Sequence, residues 1–146
     1  MQTFLPYSDF TMTAKVLDRQ RLGKQRVECL QILKVLQKGP YTSGKKTPWY
    51  NHPAVQLWNG HPWALYTYLI EICREWLNRG YKDTCYNKAS VLVNENFPNI
   101  SNNILPNWIG NESFHSAHRA ALLYKNFSWY EQFGWKEKPK IEYLWM

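Results

Sequence analysis

Three groups of side chains have the types and spacing to do chemistry. In the first, Arg21, Gln25 and Glu28 fall within about 60° of one another at 100° per residue on a helix. They form a polar stripe at the margin of an apolar face. A carboxylate there is either half-buried and able to exchange protons with a substrate, or an ordinary solvated glutamate, and spacing alone does not separate the two. Around this stripe, Lys15, Arg19, Arg21, Lys24 and Arg26 stand against Asp18 alone between positions 15 and 26. A solvated helix face more often interleaves its acids, so this segment reads as an anion-binding surface, with Arg21, Lys24 and Arg26 facing phosphates.

The second group is His115, His118 and Arg119, in Phe114-His115-Ser116-Ala117-His118-Arg119. Histidines at i and i+3 share a helix face, with Arg119 beside His115. Two such histidines can begin a metal site, but the only local acid is Glu112 and the neighbouring arginine repels a cation, so no metal is expected. Phosphate or base contact suits them better, and structural histidines with satisfied hydrogen bonds suit the spacing too. His52 and His61 each precede a proline, Pro53 and Pro62, and read as capping or packing residues. In the third group, Trp129, Tyr130, Phe133 and Trp135 lie among Lys125, Lys136, Lys138 and Lys140. Aromatics interleaved with cations suit stacking on unpaired bases, although some of these rings must also close the core.

The chain that positions these groups has 146 residues, enough for one core. Its 18 Lys and Arg against 11 Asp and Glu make it basic, and 8 Trp, 10 Tyr and 6 Phe make it unusually aromatic. That pairing favours nucleic acid as the partner. No apolar run is long enough for a membrane span, and the N-terminal residues lack the basic and apolar regions of a secretion signal. Cys29, Cys73 and Cys85 have neither CxxC spacing nor even number, so they read as core thiols of a reducing, cytoplasmic or nucleoid-associated setting.

Periodicity gives an all-α fold, a single compact domain of about five to six helices with long aromatic-rich loops. Ser8 is positioned to cap a short helix from Asp9 to Leu17. A long helix over Asp18–Lys38, with Leu22, Cys29, Leu30, Leu33 and Leu36 on one face, stops at Gly39-Pro40. Pro53 starts a short helix to Trp58. Pro62 starts the clearest helix, to Arg79, with Leu65, Leu69, Ile72, Cys73 and Trp76 inward. Further helices are expected near Asn87–Val93, over Glu112–Lys125 and as a last turn at Ser128–Phe133. Asn94–Asn111, rich in Asn with Pro98 and Pro106, reads as a long surface loop, and no segment alternates as a strand.

Leu17-Asp18-Arg19-Gln20-Arg21-Leu22, followed by Glu28, resembles the first long helix of the pyrimidine dimer DNA glycosylase family. Glu75-Trp76-Leu77-Asn78-Arg79-Gly80-Tyr81 resembles the end of that family's central helix, and Trp129-Tyr130 with Phe133-Gly134 its aromatic C-terminal segment. The motifs M-Q-T-F-L-P-Y, R-L-G-K-Q-R, N-H-P-A-V and F-H-x-x-H-R resemble a less characterised cellular branch over nearly the whole length. The resemblance implies a monomeric glycosylase with abasic-site lyase activity, without cofactor, acting on double-stranded DNA that contains a damaged or modified base. It further implies an N-terminal amine, that of Met1, attacking the sugar, with Glu28 as acid and base. Gln20, Arg21, Lys24, Arg26, His115, His118, Arg119, Trp129 and Tyr130 would contact DNA. An α-amine with a pKa of about 7.7–8.0 is on the order of a tenth neutral at pH 7, against about 0.04% for a lysine, which suits it to this work.

Overall fold

The computed structural model describes residues 1–97 and 104–146. Among these, the elements in order are α1 (Phe10–Val16), α2 (Arg19–Lys38), β1 (Tyr41–Thr42), β2 (Lys45–Lys46), α3 (Pro53–Trp58), α4 (Pro62–Asn78), α5 (Cys85–Asn96), α6 (Glu112–Lys125) and α7 (Phe127–Tyr130). A single 3₁₀ turn follows at Glu131–Phe133. The expected all-α fold is observed, a single compact domain with seven α-helices among the described residues. They outnumber the expected five to six because α1, α3 and α7 are only one or two turns long.

Helix α2 runs through the middle of the molecule, packing against α4 and α5, while α1 lies across α4. Its buried face carries the expected Leu22, Cys29, Leu30 and Leu33, and adds Ile32. Two polar side chains, Gln25 and Glu28, are buried with them. The two helices come close where Gly23 meets Trp76. A Cβ at position 23 would lie 2.8 Å from Cη2 of the indole, so only glycine admits this approach. That indole also lies beneath the guanidinium of Arg26 at 4.4 Å, stacks on Tyr81 at 4.3 Å, and donates to the Lys82 carbonyl. The glycine of R-L-G-K-Q-R and the tryptophan of the E-W-L-N-R-G-Y segment are therefore two sides of one helix contact.

Buried aromatics fill the other half of the core. Trp58 of α3 stacks with Tyr68 of α4 at 6.1 Å and meets Trp108 edge-on at 4.9 Å. Cys29, Cys73 and Cys85 are buried free thiols, and burial pushes each of them above its usual range.

Several boundaries differ from the sequence expectation, each for a local reason. Asp9, not Ser8, caps α1, its carboxylate accepting from the Met12 amide. Helix α5 extends beyond Asn87–Val93 at both ends. Asp83 accepts the Cys85 and Tyr86 amides at its start, and the Asn94 and Asn96 side chains donate to carbonyls one turn back near its end. Asn94–Asn96 are thus helical rather than loop. Residues 98–103 of the expected loop, Pro98 included, lie outside the described residues. The basic loop at Lys45 and Lys46 closes a two-residue antiparallel hairpin, Tyr41 opposite Lys46 and Thr42 opposite Lys45, too short to show alternation.

Candidate active site

Chain termini ordinarily fray. Here the N-terminal segment is extended, buried from Gln2 to Leu5, and held group by group. The Gln2 amide donates to Oε2 of Glu28 (2.5 Å), and the Thr3 amide to Oε1 of the Gln2 side chain (2.8 Å). The Phe4 amide donates to Oε1 of Gln25 (2.9 Å), and the Leu5 amide to Nδ1 of His118 (2.9 Å). On the acceptor side, the Gln2 carbonyl takes Nε2 of Gln25 (2.8 Å) and the Phe4 carbonyl takes the Tyr68 hydroxyl (2.6 Å). The Leu5 carbonyl takes Nδ1 of His115 (2.8 Å), and the Pro6 carbonyl takes Nη1 of Arg119 (2.7 Å). Buried backbone groups must be paired, and side chains do here what a neighbouring strand does in a sheet.

This strap settles what His115, His118 and Arg119 do in the structure. Nε2 of His115 accepts from the Gly110 amide, so its Nδ1 carries the proton given to Leu5. His118 accepts from Leu5 and is therefore protonated at Nε2. The i, i+3 pair thus grips one residue, Leu5, from two sides in opposite tautomers. Both rings are buried, and burial, then His115, lowers the His118 pKa to about 3. Arg119 is bound to Glu112 and Glu137 as well as to Pro6. In the structure these three residues, expected from the sequence to contact DNA, are engaged within the protein. Apart from Nε2 of His118, which is buried without a partner, their side-chain nitrogens are taken by backbone and carboxylates, and they hold the N-terminus in place.

Tyr130 is likewise engaged within the protein. It is fully buried, with its hydroxyl donating to Oδ1 of Asp18 (2.5 Å) and accepting the Asp18 amide. Arg26, expected to face a phosphate, is bound to Asp83 at 2.6 Å and lies over Trp76, where it braces the α2–α4 contact. Trp129 remains partly exposed, its indole N–H donating to the Val16 carbonyl. Gln20, Arg21 and Lys24 lie as expected on the accessible side of α2, and Arg21 is bridged to Asp18 at 3.2 Å.

The strap delivers Met1 to Glu28. Two cavities meet at this pair. One, of about 300 Å³, is polar and cationic, lined by Gln2, Gln20, Arg21, Lys24, Lys125 and Tyr143 with Met1 and Glu28. The other, of about 350 Å³, is lined by Gln31, Lys34, Val35 and Trp49 with the same two residues. Glu28 is only 6% exposed. While Oε2 is held by the Gln2 amide, Oε1 lies 3.6 Å from Nζ of Lys24, whose side chain is 71% exposed. The imidazole of His52 caps α3 by accepting the Ala54 amide, as its sequence context suggested. Burial and then the positive Met1 amine lower its pKa, with Glu28 opposing, so it also lies within electrostatic range of the pair.

Of the residues lining the two cavities, Met1, Gln20, Arg21, Lys24 and Glu28 were named from the sequence as site residues, and Gln31, Lys34, Val35, Trp49 and Tyr143 were not. Lys24, Glu28, Gln31 and Val35 recur at helical spacing, a stripe that could have extended the site along α2. Nothing local marks Trp49 or Tyr143, which arrive from separate loops. Among the described residues, no three His, Cys, Asp or Glu side chains come together as a metal-binding group.

The family model described as pyrimidine dimer DNA glycosylase matches residues 1–88, which span the strap, α1 to α4 and the start of α5. No curated protein and no solved structure matches the chain. A buried carboxylate facing a tethered N-terminus between two open cavities, on a chain that matches this model over 88 of its 146 residues, leads to one assignment: the chain belongs to the pyrimidine dimer DNA glycosylase family.

Proposed function

We propose that the protein is a bifunctional glycosylase and abasic-site lyase in which the α-amine of Met1 is the nucleophile and Glu28 the proton-transfer group. The neutral amine attacks C1′ of the damaged nucleotide. The C1′–N glycosidic bond breaks, its electron pair leaves with the base, and a proton from Glu28 or solvent neutralises it. The amine gives up a proton to solvent, and the C1′–O4′ bond opens with its electron pair going to O4′. That oxygen takes a proton from Glu28 or solvent, and a protonated imine to the opened sugar remains. The Glu28 carboxylate then removes a C2′ proton. The electron pair forms a C2′–C3′ double bond and expels the 3′ phosphate, which breaks the strand. Arg21, Lys24 and Lys125 hold the phosphodiester beside the sugar.

The observation that carries this reading is the strap. Four successive amides, from Gln2 to Leu5, are each claimed by a buried side-chain acceptor, one of them Glu28 itself. Fixing a terminus this fully costs chain entropy and four buried polar side chains, and what it achieves is a located amine. A monomer acting on duplex DNA in the cytoplasm or nucleoid is the setting that goes with this reaction.

The test is borohydride trapping on a duplex with one abasic site, in chelator, with mass mapping of the adduct. We expect a covalent adduct on the Met1 amine, and for Glu28→Gln a loss of strand scission on the order of 10²–10⁴-fold with duplex binding retained. An adduct on a lysine overturns the nucleophile. Full scission by Glu28→Gln overturns its role. Binding without any adduct points to a non-catalytic module on the same basic and aromatic surface.

A further inference from the structure

The strap has a second layer of contacts, behind the side chains of α6 that grip it. Residues 135–146, which have no regular secondary structure, run back along the N-terminal segment in the opposite direction. The Trp135 indole donates to the Tyr7 hydroxyl (2.8 Å). Oε2 of Glu137 accepts from Ser116 (2.8 Å) and from Nε of Arg119 (3.0 Å), the residue whose Nη1 holds the Pro6 carbonyl. The Lys140 amide donates to the Ala120 carbonyl (3.1 Å), which ties the segment to α6. Tyr143 then meets two rings edge-on, Phe4 at 6.3 Å and His118 at 5.6 Å, and lines the cationic cavity with Met1 and Glu28. From Lys136 to Met146 only Glu137 and Tyr143 are partly buried, so the inward side chains of this stretch are the ones that reach the strap or its holders.

Helix α6 holds Leu5 and Pro6 through side chains with rotatable bonds, so the strap is located only as well as those side chains are. His118 has a particular need. Its Nδ1 accepts the Leu5 amide, and its Nε2–H is buried without an acceptor among the rings of Phe4, Phe114 and Tyr143. An aromatic face is only a weak acceptor for such a group, and what keeps the imidazole in place is the packing around it. Removing the Tyr143 ring opens that packing on the side of the cavity. Water then offers Nε2 the bond it lacks, and the imidazole is free to turn away from Leu5.

We propose that Tyr143 is a positioning residue for the Met1 amine, and that residues 135–146 clamp the strap from outside. The inference rests on the lyase reading above and deepens it. The order of the contacts supports it: Trp135 lies at Tyr7, Glu137 reaches Pro6 through Arg119, and Tyr143 touches Phe4 and reaches Leu5 through His118. The contacts advance toward Met1 and end in the wall of its cavity. The strap and Glu28 lie within residues 1–88 matched by the family model, and the clamp lies outside them. The clamp governs how well the amine is located, not how the duplex is held. Its loss therefore appears in the rate of the chemical step and not in affinity.

The test reads chemistry and binding separately. For Tyr143→Leu, single-turnover scission at a preformed abasic site is expected to fall on the order of 10- to 100-fold. Affinity for a duplex carrying a tetrahydrofuran analogue, which cannot form an imine, stays within about twofold of wild type. Tyr143→Phe, which keeps the ring, retains most of the scission. Wild-type scission by Tyr143→Leu overturns the proposal. Equal loss in Tyr143→Phe overturns it as well, because the hydroxyl and not the ring would then be at work. A loss of affinity that matches the loss of scission does the same, since it assigns Tyr143 to the duplex.

Amide hydrogen exchange provides a second readout that requires no reaction. In Tyr143→Leu the amides of Phe4 and Leu5 should exchange at least about tenfold faster, while those of Leu33 and Ile72 in the core keep their protection. Unchanged exchange at Phe4 and Leu5 overturns the clamp. Glu137→Gln, which alters only the Ser116 and Arg119 contacts, decides the case if Tyr143→Leu does not fold. Faster exchange at Leu5 together with slower scission supports the clamp, and wild-type behaviour in either overturns it. Failure of the wild-type protein to form the borohydride adduct counts against the lyase reading, while the exchange difference still decides whether this segment holds the strap.

Discussion

Replacing Gln25 by Leu keeps the volume of the side chain and removes its amide, and the consequences can be worked from the contacts. Oε1 of Gln25 accepts the Phe4 amide and Nε2 donates to the Gln2 carbonyl, both in a fully buried setting. The Tyr68 hydroxyl, which also approaches Oε1, keeps its bond to the Phe4 carbonyl. Two backbone groups are therefore orphaned. Each costs about 1–3 kcal/mol when left unpaired in the core, so the docked strap is destabilised by about 2–6 kcal/mol. Two outcomes share that energy. If the strap stays docked, the whole fold loses it, and the melting temperature falls by roughly 2–4 °C per kcal/mol for a chain of this size.

If the strap detaches instead, the fold is spared but the amine is no longer located. The competent fraction, and with it single-turnover scission at an abasic site, then falls by tenfold per 1.4 kcal/mol, at least about 30-fold for the lower bound when docking was only marginally favourable. Thermal melting and single-turnover scission measured on the same preparation distinguish the two. Gln25→Leu that melts within about a degree of wild type and cuts at the wild-type rate would refute the reasoning, because neither the fold nor the site would then depend on the strap.

Two further outcomes follow from the same geometry. His118 is held neutral, with a pKa of about 3 against about 6.5 in the unfolded chain, because burial and His115 disfavour its charge. Below pH 6.5 the unfolded state binds the extra proton and the folded state does not. Stability therefore declines as pH falls from about 6.5 towards 3, by an amount on the order of 5 kcal/mol from this residue. His118→Asn, whose Oδ1 can replace Nδ1 as acceptor, should be less stable at neutral pH but lose less on acidification, and chemical denaturation across that range measures the slope. Gly23→Ala gains about 1 kcal/mol of helix propensity and sets a methyl against an indole pinned by Arg26, Tyr81 and Lys82, an overlap costing about 1–3 kcal/mol. A net loss of up to about 2 kcal/mol is expected, and a variant more stable than wild type would show that the α2–α4 contact is looser than described.

The helices were legible because their signals are local. Leu22, Cys29, Leu30 and Leu33 repeat at the period of a helix, and Gly39 and the prolines at 53 and 62 punctuate the chain without reference to anything distant. Glu28, Arg21 and Lys24 were legible for the same reason, since their arrangement is a property of one helix. What a single helix cannot reveal is whether a polar side chain meets solvent, a ligand or another part of the chain. His115, His118, Arg119, Arg26 and Tyr130 carried the right chemistry for DNA, and the structure gave every one of them a partner within the protein. For His118 that partner is 113 residues away in sequence, and for Tyr130 it is 112. Trp49 shows the converse. No spacing marks it, because its place at the site comes from a left-handed turn and from a cavity wall shared with residues 1 and 28. Local periodicity determined the helices and their polar faces. Tertiary packing decided which polar groups were consumed in building the site and which were left open to act in it, because burial and pairing are properties of the assembled chain.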